Sequence, residues 1–498
     1  MEPLFLGIDI GTGGTKAVLS DANGTLLAEA FCASTLYRPD RETVYEEPEE
    51  IFRSVMTAIQ KCVQLSGTPK ERIAAIGMDS QMAGIMGIDE HFGAVTPLDS
   101  WLDTRCAPYT EKIRLGAGDE AIRSSGGQMI HSHASKILWW KHEQPATYRK
   151  IKKFVQPNAY VAGRLCGLSA ADAFMDYTFL HFNCFSDNLA LGFNPSLLRE
   201  FGVEEEKMPR IVSPQTVVGT VLPSFATACG LPDGVRVIAG CGDTAASSLG
   251  AGVTRKGLAY DVAGTASVFA CCTDQFKPDV QNKTLLFSRS VCDGLYLPLS
   301  YISGGGLCLS WFSKLAKKDL KTLDSLAAQK TPGADGVTFI PHFSGRTFPL
   351  DDRINGAFLG LTQHADDGVL FRAILESIAY EYKSYLSILK QSGALTALTT
   401  VIGVGGGAKS SVFSQIKADV LGTDYHTLAF ADTAPAAMAL LAAKATGFTD
   451  KSFDELFAPQ TKTVCTADEA KTAVYTPLAT QYRSLLNRFG DFLKGTGE

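Results

Sequence analysis

The chain has 498 residues, 45% hydrophobic and 20% charged, with a formal net charge of −6 and a pI near 5.8. That length suits two to four domains of ~150 residues with a large core. The acidic balance and lack of a basic tract argue against a nucleic-acid footprint. MEPLFLG has no basic n-region, and no window of about 18 residues is free of charge and breakers, so neither a signal peptide nor a membrane span is predicted.

The opening run LFLGIDIGTGGTK, then KAVLSD and TLLAEAFCAS, predicts three short strands in an antiparallel meander. The turn after Asp9 is unusually bare. Backbone N–H groups of Gly11 and Gly13 and the hydroxyls of Thr12 and Thr15 suit phosphate oxygens, with Lys16 beside them. An aspartate at the strand end can hold Mg²⁺ through its waters. The alternative is a glycine-rich hairpin without ligand. EEPEEIFRSVMTAIQKCVQLSG predicts a helix with acids at its start and Gly67 as its stop, and RIAAIGMDS predicts a buried strand. SQMAG and DSWLDTRC then gather Gln81, Met82, Trp101, Asp103 and Arg105, polar groups beside an aromatic face of the kind that holds a polyol. Surface salt bridges are the plainer reading.

GVRVIAGCGDTAASSLG gives a strand, a glycine turn and a small-residue helix. Asp243 there can take a proton from a hydroxyl, as the base of phosphoryl transfer does, or merely cap the helix. GLAYDVAGTASVFACCT repeats the opening theme, with Asp261 lying 252 residues after Asp9. The repeat predicts two related domains, with a boundary near Ala251. ISGGGLCLSWF adds glycines for a close approach at Gly305. LTTVIGVGGGAKSSVFSQIKADVLG has strand, turn and helix. Its Gly403, Gly405 and Ala408 fit a dinucleotide fingerprint, with Asp424 as the ribose acid, or make room for adenosine.

The 12 cysteines show no CxxC and no zinc spacing, so reduced thiols are expected. His131-x-His133 lacks a completing carboxylate and is not taken as a metal pair.

In this order the residues resemble the FGGY carbohydrate kinases, from residue 4 to about residue 445. GIDIGTGGTK looks like the first phosphate motif, GCGDTAA the segment of the catalytic base, AGTAS the second phosphate motif and GGGAKS the adenosine motif. SKILWWKHE and RTFPLDDRINGAFLGLTQHADDGVLFRAILE are similar to the two family signatures. The resemblance implies an α/β protein of two ribonuclease H-like, actin-like ATPase domains with an interdomain cleft. Residues 1–250 would carry sugar binding, the first phosphate motif and the base, residues 251–450 the nucleotide motifs, and residues 451–498 an extension packed on the second domain. ATP would be held by Gly11, Thr12, Gly13, Thr15, Lys16, Gly264, Thr265, Gly305, Gly406, Gly407, Ala408 and Lys409, and Mg²⁺ by Asp9. Gln81, Met82, Trp101, Asp103, Arg105 and Asp243 would hold the acceptor, with Asp243 as base. The resemblance implies that the acceptor would be a ketose, polyol or sugar acid, on a xylulokinase-like pattern.

The chain departs from that pattern at Ala83, Leu102, Trp140 and Val369. A missing imidazole and a missing amide alter the hydrogen bonds that sort sugars. A cytoplasmic protein without nucleic-acid or membrane partner is expected, with a homodimer left open. The rival readings are an actin-like nucleotide switch without sugar substrate and a dinucleotide oxidoreductase.

Overall fold

The computed structural model of the chain describes residues 2–343, 345–429 and 433–495. They form two compact units. The first comprises residues 1–252, 287–294 and 432–458, and the second 253–286, 295–431 and 459–498.

The first unit begins with strands β1 (Leu4–Gly11), β2 (Gly14–Asp21) and β3 (Leu26–Ala33), the antiparallel meander predicted above. A two-residue strand follows, β4 (Tyr45–Glu46), then helix α1 (Pro48–Ser66). Pro48 opens α1, Glu49 and Glu50 lie in its first turn, and Gly67 ends it in the left-handed conformation at φ 60°. Next come β5 (Ile73–Ser80), β6 (Leu98–Asp99), β7 (Val217–Thr220), β8 (Arg236–Ile238), the short β9 (Cys241–Gly242) and helix α2 (Asp243–Gly250). The main sheet runs β7-β8-β5-β1-β2-β3, with β9 also on β5. β1 and β8 are parallel to β5, so the catalytic candidates at the ends of β1, β5 and β9 emerge at one edge. One sheet face is covered by α1, whose Ile51, Val55, Ala58 and Ile59 are buried with Ile8, Ile10 and Ala17 in one core cluster.

The second unit repeats this plan. Strands β10 (Leu258–Ala263), β11 (Ser267–Cys271) and β12 (Tyr296–Ile302) form an antiparallel meander. Helices α3 (Gly305–Ala316) and α4 (Asp367–Gln391), strand β13 (Thr400–Val404), helix α5 (Ser411–Leu421) and strand β14 (Tyr425–Leu428) follow. β13 is parallel to β10 and to β14. The order β12-β11-β10-β13-β14 therefore matches β3-β2-β1-β5-β8 in both sequence and sense. β15 (Thr461–Cys465) extends this sheet, and the C-terminal helix Glu469–Gly495 packs on α4 and α5.

Between β14 and β15 the chain returns to the first unit as helix α6 (Ala434–Ala445). The units thus interleave along the chain, whereas the sequence reading has three consecutive segments. The reason is packing. α6 is built mostly of alanine and lies directly on β1 and β5. A Cβ on Gly7 would sit 1.7 Å from the Pro435 carbonyl oxygen, and one on Gly77 2.3 Å from that of Met438. Both obstacles are backbone, so they cannot be relieved by a rotamer change. Gly7→Ala is therefore expected to destabilise the first unit by at least ~1–3 kcal/mol, read as a lowered urea midpoint. An unchanged midpoint would contradict this packing.

Candidate active site

The two-residue loop Thr12-Gly13 joins β1 to β2, with Gly13 at φ 81° and Thr12 exposed. Half-buried Asp9 lies beneath it, its Oδ1 3.8 Å from where a Gly11 Cβ would stand. Lys16 is the cross-strand partner of Asp9 and so shares its face, while also reaching Glu29 at 3.4 Å. Thr15 is corrected by strand parity. Its side chain points to the opposite face, is fully buried, and meets the Ser54 hydroxyl of α1 at 2.7 Å. That hydroxyl belongs to the core and cannot reach a phosphate.

Asp79 ends β5 in register with Asp9, and Cys241 pairs with Asp79, which brings Asp243 to the same edge. Asp243 is the first residue of α2; the cap position belongs to Gly242. Its Oδ1 accepts from the Thr244 N–H at 2.5 Å and the Thr244 hydroxyl at 3.1 Å. Burial, and next the charge of Asp9, push its carboxyl up to about 6. Gly240, at φ 71°, makes the approach, since a Cβ there would overlap the Met78 carbonyl oxygen at 1.7 Å.

Met82 packs on Gly242, where a Cβ would come within 2.4 Å of Met82 Cε. Buried Gln81 accepts from the Thr12 hydroxyl at 3.1 Å, and Thr12 in turn accepts from the half-exposed Trp101 indole at 3.0 Å. Gln81, Met82 and Trp101 therefore converge on the Thr12 turn and Asp243. Asp103 and Arg105 are tied up differently. Asp103 accepts from the Val44 N–H at 2.9 Å and from Arg105 Nε at 2.8 Å. Arg105 also donates to Asp99 at 2.6 Å and lies 4.2 Å over the Trp139 ring. Trp140, one of the departures from the signature, donates to the other Asp99 oxygen at 2.6 Å. Asp99, Asp103, Arg105, Trp139 and Trp140 together brace the loop that presents Trp101. Ala83 adopts φ 60° and is buried, its carbonyl held at 3.0 Å by the buried Lys136 ammonium.

In the second unit the glycines gather around Ala263. Gly306 N donates to Gly264 O at 2.9 Å, and Leu307 N donates to Thr265 O at 3.0 Å. A Cβ on Gly305 would meet Ser267 Oγ at 2.1 Å, and one on Gly407 the Ala263 Cβ at 2.8 Å. Gly405 takes φ 89° against the Ala263 carbonyl. Gly264, Thr265, Gly305 and the Gly406–Gly407–Ala408–Lys409 turn are thus brought together, with Gly406 and Lys409 exposed. Asp424 does not face this turn, because its carboxylate accepts from the Ala467 N–H at 3.1 Å. Gly403 serves packing, since a Cβ there would collide with the Tyr425 ring. Neither serves the dinucleotide reading.

Two features escape the sequence reading. Asp79 is visible only through register. Glu46, taken with its neighbours as a helix-start acid, ends β4, is fully buried, and faces Gln81 and Gly13; no local pattern announces this.

At the edge where β1 and β9 end, Asp9 and Asp243 are carboxylates near enough that the charge of Asp9 raises Asp243. Such a set suits a hard cation such as Mg²⁺, which keeps much of its water. Among the described residues no group of three or more His, Cys, Asp or Glu side chains is arranged to hold a metal. Water and substrate oxygens would therefore complete the shell. His131 is held by the Thr110 hydroxyl at 3.1 Å, and burial drives His133 down to about 3.

The profile of the FGGY family of carbohydrate kinases, N-terminal domain, matches residues 4–250, and that of its C-terminal domain residues 259–446. The chain is 27% identical over 471 residues to the gluconokinase of Bacillus subtilis (strain 168), covering 91% of this chain and 90% of that one. It is 26% identical over 486 residues to the xylulose kinase of Escherichia coli (strain K12), covering 97% and 98%. The solved xylulose kinase of Rhodospirillum rubrum matches with a TM-score of 0.91 at 25% identity, covering 99% of this chain and 100% of that one. The gluconate kinase of Lactobacillus acidophilus shares the fold, with a TM-score of 0.90 at 22% identity over 98% and 99%.

Proposed function

We propose, on the premise that the chain belongs to the FGGY family of carbohydrate kinases, that it transfers the γ-phosphoryl group of ATP to a terminal hydroxyl of an open-chain ketose, polyol or sugar acid. The protein is an ATP-dependent sugar kinase, a phosphotransferase with an alcohol acceptor, on two actin-like ATPase domains. D-gluconate and D-xylulose are the first acceptors to consider, from the names of the relatives.

The observation that carries the assignment of roles is the contact of Met82 with Gly242, which puts the polyol-binding stretch beside Asp243. Asp243 accepts the proton of the attacking hydroxyl as its oxygen approaches phosphorus. Gln81 and Trp101 orient the acceptor. Asp103, Arg105 and Asp99 hold the Trp101 loop. The N–H groups and hydroxyl of the Thr12-Gly13 turn, with Lys16 beside them, bind phosphate oxygens. Gly264, Thr265 and the turn at Gly406–Lys409 leave backbone accessible for the rest of the nucleotide, while Gly305 is buried against Ser267 and supports them from behind. Asp9 is the residue to hold Mg²⁺ through water, and that ion would supply neutralisation of phosphate charge.

None of the 12 cysteines is in a disulfide, and no helix among the described residues is long and apolar enough to cross a membrane. We assign the protein to the reducing cytoplasm on the thiols.

An ADP-release assay with MgATP against D-gluconate, D-xylulose, other ketoses, pentitols and glycerol tests this reading. One strong responder is expected. ATP hydrolysis that ignores every acceptor would replace it with a nucleotide switch.

A further inference from the structure

We propose that Glu46 links the acceptor site to the phosphate turn, acting as a positioning residue through which sugar and nucleotide strengthen each other's binding. The inference rests on the roles assigned above to Gln81 and to the Thr12-Gly13 turn.

Glu46 is 0% exposed and is fixed by β4, which pairs with β6 so that Glu46 stands opposite Leu98. One carboxylate oxygen accepts from the Gly13 N–H at 3.2 Å and from the Ser34 hydroxyl at 3.2 Å. The other accepts from the Gln81 side-chain amide. The far end of that amide accepts from Thr12, the residue covalently next to Gly13. The result is a closed ring: Glu46, Gln81, Thr12, Gly13 and back to Glu46. The donors to Glu46 among the described residues are all neutral, and burial raises its carboxyl above the ordinary range. A buried carboxylate without a cationic partner is costly, so ordinary stability does not explain its presence.

The ring has a consequence for ligands. The Gly13 N–H cannot serve Glu46 and a phosphate oxygen fully at once. Likewise, the Gln81 amide cannot turn to a sugar hydroxyl without loosening its bond to Glu46. In the free protein the ring satisfies itself. The first ligand to arrive must open it, and the second meets groups already released. Such linkage is reciprocal, and couplings of this kind usually fall between about 5- and 150-fold in affinity.

Glu46→Gln keeps the size of the side chain but replaces one acceptor oxygen with a donor, so the ring cannot close. Calorimetry gives the Kd of the magnesium complex of the β,γ-imido ATP analogue, with and without saturating D-gluconate or D-xylulose, whichever the wild type phosphorylates. For the wild type, the sugar is expected to tighten the analogue at least about fivefold. For Glu46→Gln the factor should fall to near one. Ser34→Ala, which leaves Glu46 with one fewer donor, should weaken analogue binding alone and enlarge the factor, so the inference survives a poorly folding Glu46 variant.

A wild-type factor of one with a turned-over sugar overturns the proposal, as does an unchanged factor in Glu46→Gln. Failure of the underlying reading has its own signature, absence of phosphorylation of every acceptor by the wild type. In that case the Trp101 fluorescence response to the analogue, absent in Trp101→Phe and compared between wild type and Glu46→Gln, still decides. An identical response in the two overturns the role of the ring.

Discussion

Asp243→Asn is expected to reduce kcat by about 10² to 10⁴, the usual contribution of a positioned general base, while nucleotide binding measured by calorimetry is unchanged. The geometry makes the loss specific. Asp243 sits at the head of α2 with Met82 packed on the preceding glycine, and its Oδ1 takes two donors from Thr244. An asparagine can accept both of those bonds, so the local fold survives and only the proton acceptor is lost.

The pH dependence follows from the carboxyl at about 6, raised first by burial. A base must be ionised, so kcat/KM in the wild type should fall about tenfold per pH unit below that value. The same shift fixes a stability effect. A carboxyl raised above its unfolded value lends stability below the unfolded pKa, and loses it as pH rises through the folded one. At pH 7 the ionised Asp243 is thus a burden on the fold. Asp243→Asn should melt no lower than the wild type at pH 7 and lose that advantage towards pH 4. Near-normal turnover, or a variant that is inactive because it is unfolded, would contradict the assignment.

Lys417→Met is the second large effect, expected on stability. Asp261 is fully buried in β10 and accepts from the Lys417 ammonium, the Tyr382 hydroxyl at 2.8 Å and the Tyr425 hydroxyl at 2.6 Å. Lys417 is also fully buried and lies 3.8 Å from the Phe413 ring centre. Removing the cation strands a carboxylate in the buried interior, which costs about 3–5 kcal/mol. Urea unfolding reads the loss. Asp261→Leu combined with Lys417→Met should recover most of it, because the burden is the unpaired charge rather than the missing contact. A single variant within ~1 kcal/mol of the wild type would refute the analysis.

Asp9 and Asp261 also show how far sequence reaches. The similarity of DIGTGG and DVAGTA was legible along the chain, and both sit on the first strand of a meander with the same order and sense. Their different fates were not. Asp261 is enclosed by side chains 121 to 164 residues away, and no window contains that information. Thr15 differs for a smaller reason. The glycine run puts it in the turn, but the strand resumes at Gly14, and parity then fixes its direction. Glu46 was hidden by the helix-start chemistry of its neighbours. Glycines are more legible, because at Gly240, Gly305 and Gly405 a neighbour stands where a Cβ would be. Asp103 and Arg105 were found as a cluster, while which of their atoms remained for a ligand depended on Val44 and Asp99.

The return of α6 to the first unit bears on biosynthesis. β1 has one face covered by residues 434–445, which lie far downstream of it in the chain. Everything between them must leave the ribosome before that face is shielded. Until then the first unit carries an open apolar sheet surface, the kind of surface that invites aggregation. A chain terminated between residues 243 and 433 leaves this sheet permanently uncovered, even though every strand of it has been made.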